Sequence, residues 1–164
     1  MRIAILFLVA LWAFSATAEQ CYPEFSESGF LASIGKKPVK KTEKKEEGIT
    51  RYQYEFRKDL PAEDALSDDA DKKYEPQFYL TIYEPPCAKK VTIWFYKDNG
   101  NTEKLSNVTL AGRAYKYLTG VEPAIFANKM KRFNDVQNFE SFDDKADSKF
   151  IKSGDVFSIE VTLK

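Results

Sequence analysis

The chain has 164 residues, of which 25 are basic and 25 acidic, and it contains no histidine. A balanced charge gives no general attraction for nucleic acid, so we do not expect a nucleic-acid partner. The missing imidazole excludes histidine-based general base catalysis, the usual serine and cysteine triads, and histidine-ligated zinc or copper sites. The composition therefore favours a binding protein without a cofactor over an enzyme, for which only carboxylate-based chemistry remains open.

The N-terminus has the three parts of a secretory signal peptide. Arg2 provides the positive charge, residues 3–14 form an apolar run of twelve, and the Ala-Thr-Ala sequence at 16–18 provides the small residues of a cleavage site. The apolar run is shorter than the roughly 20 residues of a transmembrane helix. We expect residues 1–18 to be removed and residues 19–164 to form one extracellular domain without a transmembrane segment.

Two cysteines remain after this cleavage, Cys21 near the new N-terminus and Cys87 in the middle of the chain. An oxidising secretory route and an even cysteine count predict a disulfide between them. In the chain-entropy account, closing a loop of this length stabilises the fold by about 4 kcal/mol. The alternative is two free or intermolecular thiols.

Asn107 begins the sequence Asn-Val-Thr, which is an acceptor for N-linked glycosylation. The alternation of residues 105–110 predicts a strand that turns Asn107 away from its apolar side. We therefore predict a glycoprotein with its glycan at Asn107 if the host glycosylates such sequences.

Side-chain types that repeat every second residue predict strands at 51–57, 78–83, 91–96, 105–110 and 157–163. A further short strand is predicted to carry Tyr115 and Tyr117. One helix is predicted from Pro123, followed at helical spacing by Phe126, Met130 and Phe133. The expected fold is mostly β, an antiparallel β-sandwich of about six to eight strands with one short helix. The alternative is a lipocalin-like β-barrel.

Two charged segments are expected to be solvated loops. The basic loop near 36–48 could attract sulfated glycans or anionic head groups through its six lysines, Lys36, Lys37, Lys40, Lys41, Lys44 and Lys45. The acidic loop near 59–75 and a second acidic segment at 142–147 contain oxygen ligands suitable for calcium. Neither has the spacing of an EF-hand, so no metal site is predicted.

Four aromatic side chains are predicted to share a face of the two strands joined by residues 84–90, namely Tyr79, Tyr83, Trp94 and Tyr96. An exposed aromatic face would be a platform for a glycan or a partner protein. The favoured alternative is that the helix from Pro123 covers this face, because aromatic faces are more often buried.

These patterns predict a secreted, non-enzymatic binding or recognition domain whose partner is an extracellular glycan or protein surface. The alternative function is a carrier that holds a small hydrophobic ligand in a β-barrel cavity. It is suggested by strands that are apolar on both faces and could therefore line a cavity.

Overall fold

The computed structural model describes residues 25–57, 77–84, 89–96, 106–132, 137–142, 146–154 and 156–164. In chain order, these residues form α1 (Glu27–Ile34), β1 (Lys40–Glu46), β2 (Ile49–Glu55), β3 (Phe78–Glu84), β4 (Lys89–Tyr96), α2 (Asn107–Thr119), α3 (Pro123–Arg132), β5 (Gln137–Phe142), β6 (Ala146–Ser153) and β7 (Val156–Leu163). The seven strands pair in the order β1-β2-β3-β4-β7-β6-β5, and every pairing is antiparallel. None of the described helices is long and apolar enough to cross a lipid bilayer.

One face of the sheet is continuous and apolar because the strand registers place buried side chains next to one another. Leu80 lies opposite Ile93, and Ile93 lies opposite Ile159. Ile159 in turn lies opposite Phe150. These four side chains are at most 1% exposed. We call this the helix-covered face.

All three described helices contribute to the core on this face. The Tyr115 ring of α2 lies 5.5 Å from the Phe150 ring, and its hydroxyl donates a hydrogen bond of 3.0 Å to Ser148 Oγ. The Phe126 ring of α3 lies 5.1 Å from the Tyr115 ring. Phe30 of α1 is fully buried in the same cluster. Each buried phenylalanine stabilises the fold by roughly 1.5–3 kcal/mol.

The prediction of a mostly β, antiparallel fold is confirmed. The described strands form one sheet, and the described helices pack on one face of it. Three helices are described where one was predicted. Strands β1 and β5 lie at opposite ends of the described sheet order.

The predicted strand at 105–110 is wrong, because helix α2 begins at Asn107. The Ser106 hydroxyl caps this helix by accepting a hydrogen bond of 3.2 Å from the backbone N–H of Thr109. Gly120, with a φ of 79°, ends it in the left-handed conformation that glycine adopts readily. Buried residues follow the helical period, at Leu110, Ala111, Ala114, Tyr115 and Leu118.

The further strand predicted to carry Tyr115 and Tyr117 is wrong for the same reason, since both residues belong to α2. The helix predicted from Pro123 is confirmed as α3, and Phe126 and Met130 are buried as expected. Phe133 lies outside the described residues.

The basic segment near 36–48 is not a loop, because Lys40–Glu46 form the edge strand β1. A strand without apolar residues has no alternating hydrophobic pattern, so β1 could not be predicted from such a pattern. Glu47 and Gly48 join β1 to β2 with φ angles of 51° and 78°. Positive φ at both central residues is typical of the type I′ turn of a two-residue hairpin.

Several predicted features lie outside the described residues. They are the signal peptide at 1–18, the two cysteines Cys21 and Cys87, and the acidic loop near 59–75. In the second acidic segment, Asp147 belongs to β6 and its carboxylate lies 2.9 Å from Lys164 Nζ.

Candidate functional site: the open face of the sheet

The second face of the sheet, which we call the open face, lies opposite the three described helices. Its side chains on β3 and β4 alternate with those of the core and are all partly exposed. The predicted aromatic residues are all on this face, at Tyr79, Tyr83, Trp94 and Tyr96. The alternative that the helix from Pro123 covers them is wrong, because Phe126 of that helix packs 6.4 Å from Phe150 on the helix-covered face.

Three of the four aromatic rings contact one another, and we call Tyr79, Trp94 and Tyr96 the aromatic patch. Tyr79 lies opposite Trp94 in the β3–β4 register, with 5.2 Å between ring centroids and 54° between ring planes. Trp94 meets Tyr96 edge-to-face, also at 5.2 Å. The Tyr79 hydroxyl donates a hydrogen bond of 2.7 Å to Gln77 Oε1. Because the ring planes are inclined to one another, the aromatic patch is ridged rather than flat.

Tyr83 lies apart from the aromatic patch. The opposed pair Thr81 and Thr92 separates it from Tyr79 and Trp94 along the two strands. Its cross-strand neighbour is Lys90, whose Nζ lies 5.9 Å from the Tyr83 ring centroid and 2.8 Å from the Glu160 carboxylate. The predicted four-residue platform is therefore a cluster of three aromatic residues with a fourth in a more charged environment.

The pleat of β1 divides the predicted lysine cluster between the two faces of the sheet. By their register, Lys40 and Lys44 are on the open face, whereas Lys41 and Lys45 are on the opposite side. Lys36 and Lys37 precede the strand. The six lysines therefore do not form one anion-binding loop.

The sequence did not single out Arg51, which the structure places on the open face between Lys44 and Tyr83. Arg51 lies opposite Lys44 in the β1–β2 register and opposite Tyr83 in the β2–β3 register. The alternation of residues 51–57 already put Arg51 on the polar side of a strand. Its proximity to Lys44 could not be predicted, because β1 was expected to be a loop.

On the other side of β1, Lys41 joins a cluster of polar groups that connects α1 to the sheet. Lys41 Nζ lies 3.1 Å from a carboxylate oxygen of Glu27, and the Tyr54 hydroxyl donates a hydrogen bond to the same oxygen. The Lys41 ammonium also lies 4.4 Å from the centroid of the Tyr52 ring. These contacts hold the β1–β2 hairpin against the first helix.

The ionisation of this cluster reflects its hydrogen bonds. Burial and the hydrogen bond to Glu27 raise the pKa of Tyr54 to about 12. Burial opposes ionisation of Glu27, but the hydrogen bonds from Tyr54 and Lys41 together hold the pKa of its carboxyl below the ordinary value. Hydrogen bonding with Tyr54 raises the pKa of Lys41. At neutral pH the cluster is a carboxylate, a neutral phenol and an ammonium group.

The prediction that Asn107 faces solvent is wrong, because its side chain is fully buried at the start of α2. Its Nδ2 donates hydrogen bonds of 3.2 Å to the Gln77 carbonyl and 2.9 Å to the Tyr96 carbonyl. Its Oδ1 accepts a hydrogen bond of 3.2 Å from Nε of Arg57, which is 1% exposed. The nitrogen that would carry a glycan thus links the helix to the ends of two strands.

Within the described ranges, no three cysteine, aspartate or glutamate side chains are grouped so that they could hold a metal ion. No protein-family model, curated protein or solved structure matches this chain. The chemistry of the open face is therefore the basis on which a function can be proposed.

Proposed function

We propose that this protein is a secreted, non-enzymatic recognition domain that binds a partner protein through the open face of its sheet. The observation that carries the proposal is the aromatic patch, in which Trp94 lies between Tyr79 and Tyr96 on the side of the sheet away from the helices. Tryptophan and tyrosine are enriched among the residues that dominate binding energy at protein interfaces. The predicted signal peptide and disulfide would place this domain outside the cytoplasm.

The size of the open face supports a protein as the partner. Seven strands spaced about 4.8 Å apart, each about seven residues long at roughly 3.3 Å per residue, span about 30 Å by 23 Å. This is about 700 Å², close to the roughly 800 Å² that each partner contributes to an interface of standard size. A face of this area accommodates a protein surface better than a single sugar.

The geometry of the aromatic patch also favours a protein over a glycan. Several sugar rings stack most easily on coplanar aromatic rings, whereas these ring planes are inclined by 54° and 87°. Charges flank the patch, and the Lys40–Glu55 and Lys90–Glu160 ion pairs neutralise part of them. An aromatic centre with a partly neutralised polar rim is typical of protein interfaces. We therefore expect a partner with an apolar patch bordered by at least one carboxylate.

The carrier alternative has less support, because the aliphatic side of the central strands is occupied. Leu80, Ile93 and Ile159 are fully buried and belong to the same core cluster as side chains of the three described helices. The apolar character of β3 and β4 on both faces is accounted for by a packed core on one side and the aromatic patch on the other.

Site-specific photo-crosslinking tests the proposal. A photoreactive amino acid replaces Thr92 in the middle of the open face or, as a matched control, Ile125, which is 61% exposed on α3. In the extracellular fluid of the native source, we expect a discrete protein adduct from position 92 that is lost when Trp94→Ala is added. Position 125 should give no such adduct.

Three outcomes would contradict the proposal. The first is an adduct from position 125 but none from position 92. The second is an adduct at position 92 that Trp94→Ala leaves unchanged. The third is Trp94-dependent binding on a glycan array without any protein adduct, which would replace the protein partner with a glycan.

A further inference from the structure

A recess of about 510 Å³ lies at one corner of the open face, where β1, β2 and β3 meet. Its walls are formed by Lys44, Glu46, Glu47, Ile49, Arg51 and Tyr83. The Thr81–Thr92 pair separates this recess from the aromatic patch. The two regions can therefore be tested independently.

Two like charges face each other in the recess. Lys44 lies directly opposite Arg51 in the β1–β2 register. Like charges in this position destabilise an antiparallel pair unless another charge compensates them. Neither side chain makes an ion pair or hydrogen bond within the part of the chain that the structure describes.

The other three lysines of β1 differ from Lys44, because each of them forms an ion pair. Each of them has a carboxylate within 3.3 Å, in the pairs Lys40–Glu55, Lys41–Glu27 and Lys45–Glu43. Along the same row of the sheet, Lys90 is paired with Glu160. The recess therefore brings together two cationic groups that form no ion pair with a carboxylate of the described residues.

The remaining walls restrict which anion fits. Glu46 and Glu47 lie at the hairpin end of the recess and would repel a ligand with several negative charges. Tyr83 and Ile49, the latter 38% exposed, provide an aromatic and an aliphatic wall. The guanidinium group of Arg51 can bind a planar carboxylate through two parallel hydrogen bonds.

We propose that the recess binds a single carboxylate carried on an apolar or aromatic body. Arg51 and Lys44 contact the carboxylate, and the body of the ligand lies against Tyr83 and Ile49. Such a group can belong to a free small acid or to an acidic side chain of a bound protein. Either source would present the same carboxylate to Arg51 and Lys44.

Titration of the isotopically labelled protein with phenylacetate, followed by NMR, tests this site. We expect phenylacetate to shift the Arg51 side-chain Nε–H signal and the backbone amides of Lys44 and Tyr83, whereas neutral phenylacetamide should not. Because it removes charge-assisted hydrogen bonds, Arg51→Gln should weaken binding about tenfold or more. Lys40→Gln, which removes a lysine of the same strand and face, is the matched control and should leave affinity unchanged.

A stability measurement excludes a trivial loss of structure. Both basic side chains are on the surface and face a like charge, so Arg51→Gln should leave the melting temperature without ligand unchanged or slightly higher. Phenylacetate should raise the melting temperature of the original protein but not that of this variant. Citrate, with several negative charges, should bind more weakly than phenylacetate.

The assignment is overturned if phenylacetate shifts no signals, if phenylacetamide shifts them equally, or if Arg51→Gln leaves the affinity unchanged. A capped Phe-Glu dipeptide distinguishes the two sources of the carboxylate. Tighter binding of the dipeptide than of phenylacetate indicates an acidic side chain of a partner, and the reverse indicates a free small acid. Failure of this site would leave the photo-crosslinking test at Thr92 unaffected.

Discussion

The two faces of the central strands use similar aromatic residues in different ways. On the helix-covered face, Phe95 stacks on Phe157 with 5.3 Å between ring centroids and is fully buried beneath the helices. On the open face, its neighbour Trp94 contacts Tyr79 and Tyr96 and remains partly exposed. Aromatic content alone therefore does not distinguish a core from an interaction surface. The position of the helices makes that distinction.

The largest expected effect comes from comparing adjacent residues of β4. Phe95→Ala should lower the free energy of unfolding by about 3–5 kcal/mol, because it leaves a cavity in a closely packed core. Tyr96→Ala should cost about 1 kcal/mol, since its ring is partly exposed and loses mainly the edge contact with Trp94. Urea denaturation measures both values. Equal losses would mean that the two faces are equally important for stability.

A smaller loss is expected from Asn107→Ala, which removes the buried link between α2 and the strand ends. The carbonyls of Gln77 and Tyr96 and Nε of Arg57 would each lose a hydrogen bond, so we expect a cost of about 2–3 kcal/mol. Asn128→Ala, at an exposed position of α3, is the control and should cost less than about 0.5 kcal/mol. Mass spectrometry of the secreted protein should find Asn107 unmodified; full occupancy by a glycan would contradict this buried geometry.

Glu27→Gln should cost about 1 kcal/mol at neutral pH, because it weakens the hydrogen bonds of a partly exposed carboxylate. The lowered pKa of Glu27 contributes stability above the ordinary value of 4.5, which is lost as the pH falls through the folded-state pKa. The raised pKa of Tyr54 contributes stability below pH 10, which is lost as the pH rises through about 12. Thermal unfolding across this range should show both losses in the original protein and weaker ones in the variant.

The control for this cluster is Glu122→Gln, which breaks an ion pair with Lys116 in which both side chains are about half exposed. That variant should change stability by less than about 0.5 kcal/mol. If the two substitutions cost the same amount, the cluster at Glu27 has no more structural importance than an ordinary surface ion pair.

The most direct test of the open face is a fluorescence measurement on Trp94, which requires no substitution. Trp12 belongs to the predicted signal peptide, so Trp94 would be the only tryptophan of the mature protein. Because Trp94 is partly exposed, acrylamide should quench its fluorescence. A bound partner protein should reduce that quenching. Blue-shifted emission that is protected without any partner would indicate a buried side chain and would argue against the proposed interface.

Sequence patterns identified the central strands correctly. They gave the wrong element in α2, where a short strand-like alternation conflicts with helix-capping signals. The aromatic alternation of β3 and β4 gave the shared face of Tyr79 and Trp94, because the period of two applies wherever a strand forms. It could not show which face was the core, since both faces carry large apolar residues. In α2, the short alternation around Asn107 concealed a helix whose cap at Ser106 and stop at Gly120 are recognisable in the sequence.

Only part of the candidate site could be predicted from the sequence. The aromatic residues could be found from one strand pair, whereas the recess depends on the pairing of β1 with β2. Lys44 and Arg51 become neighbours only through the hairpin at Glu47 and Gly48. Edge strand β1 consists of charged residues and one threonine, so its pairing could not be predicted from a hydrophobic pattern.

The position of β7 in the sheet has a consequence for how the molecule assembles. This strand follows all the others in the sequence, yet it lies between β4 and β6. Until β7 is in place, the meander of β1 to β4 and the β5–β6 hairpin are two separate pieces without a shared hydrogen-bonded edge. Completion of the sheet therefore requires contacts between distant parts of the chain, which is typical of slow folding. A chain cut before Val156 would leave both pieces with exposed strand edges prone to aggregation.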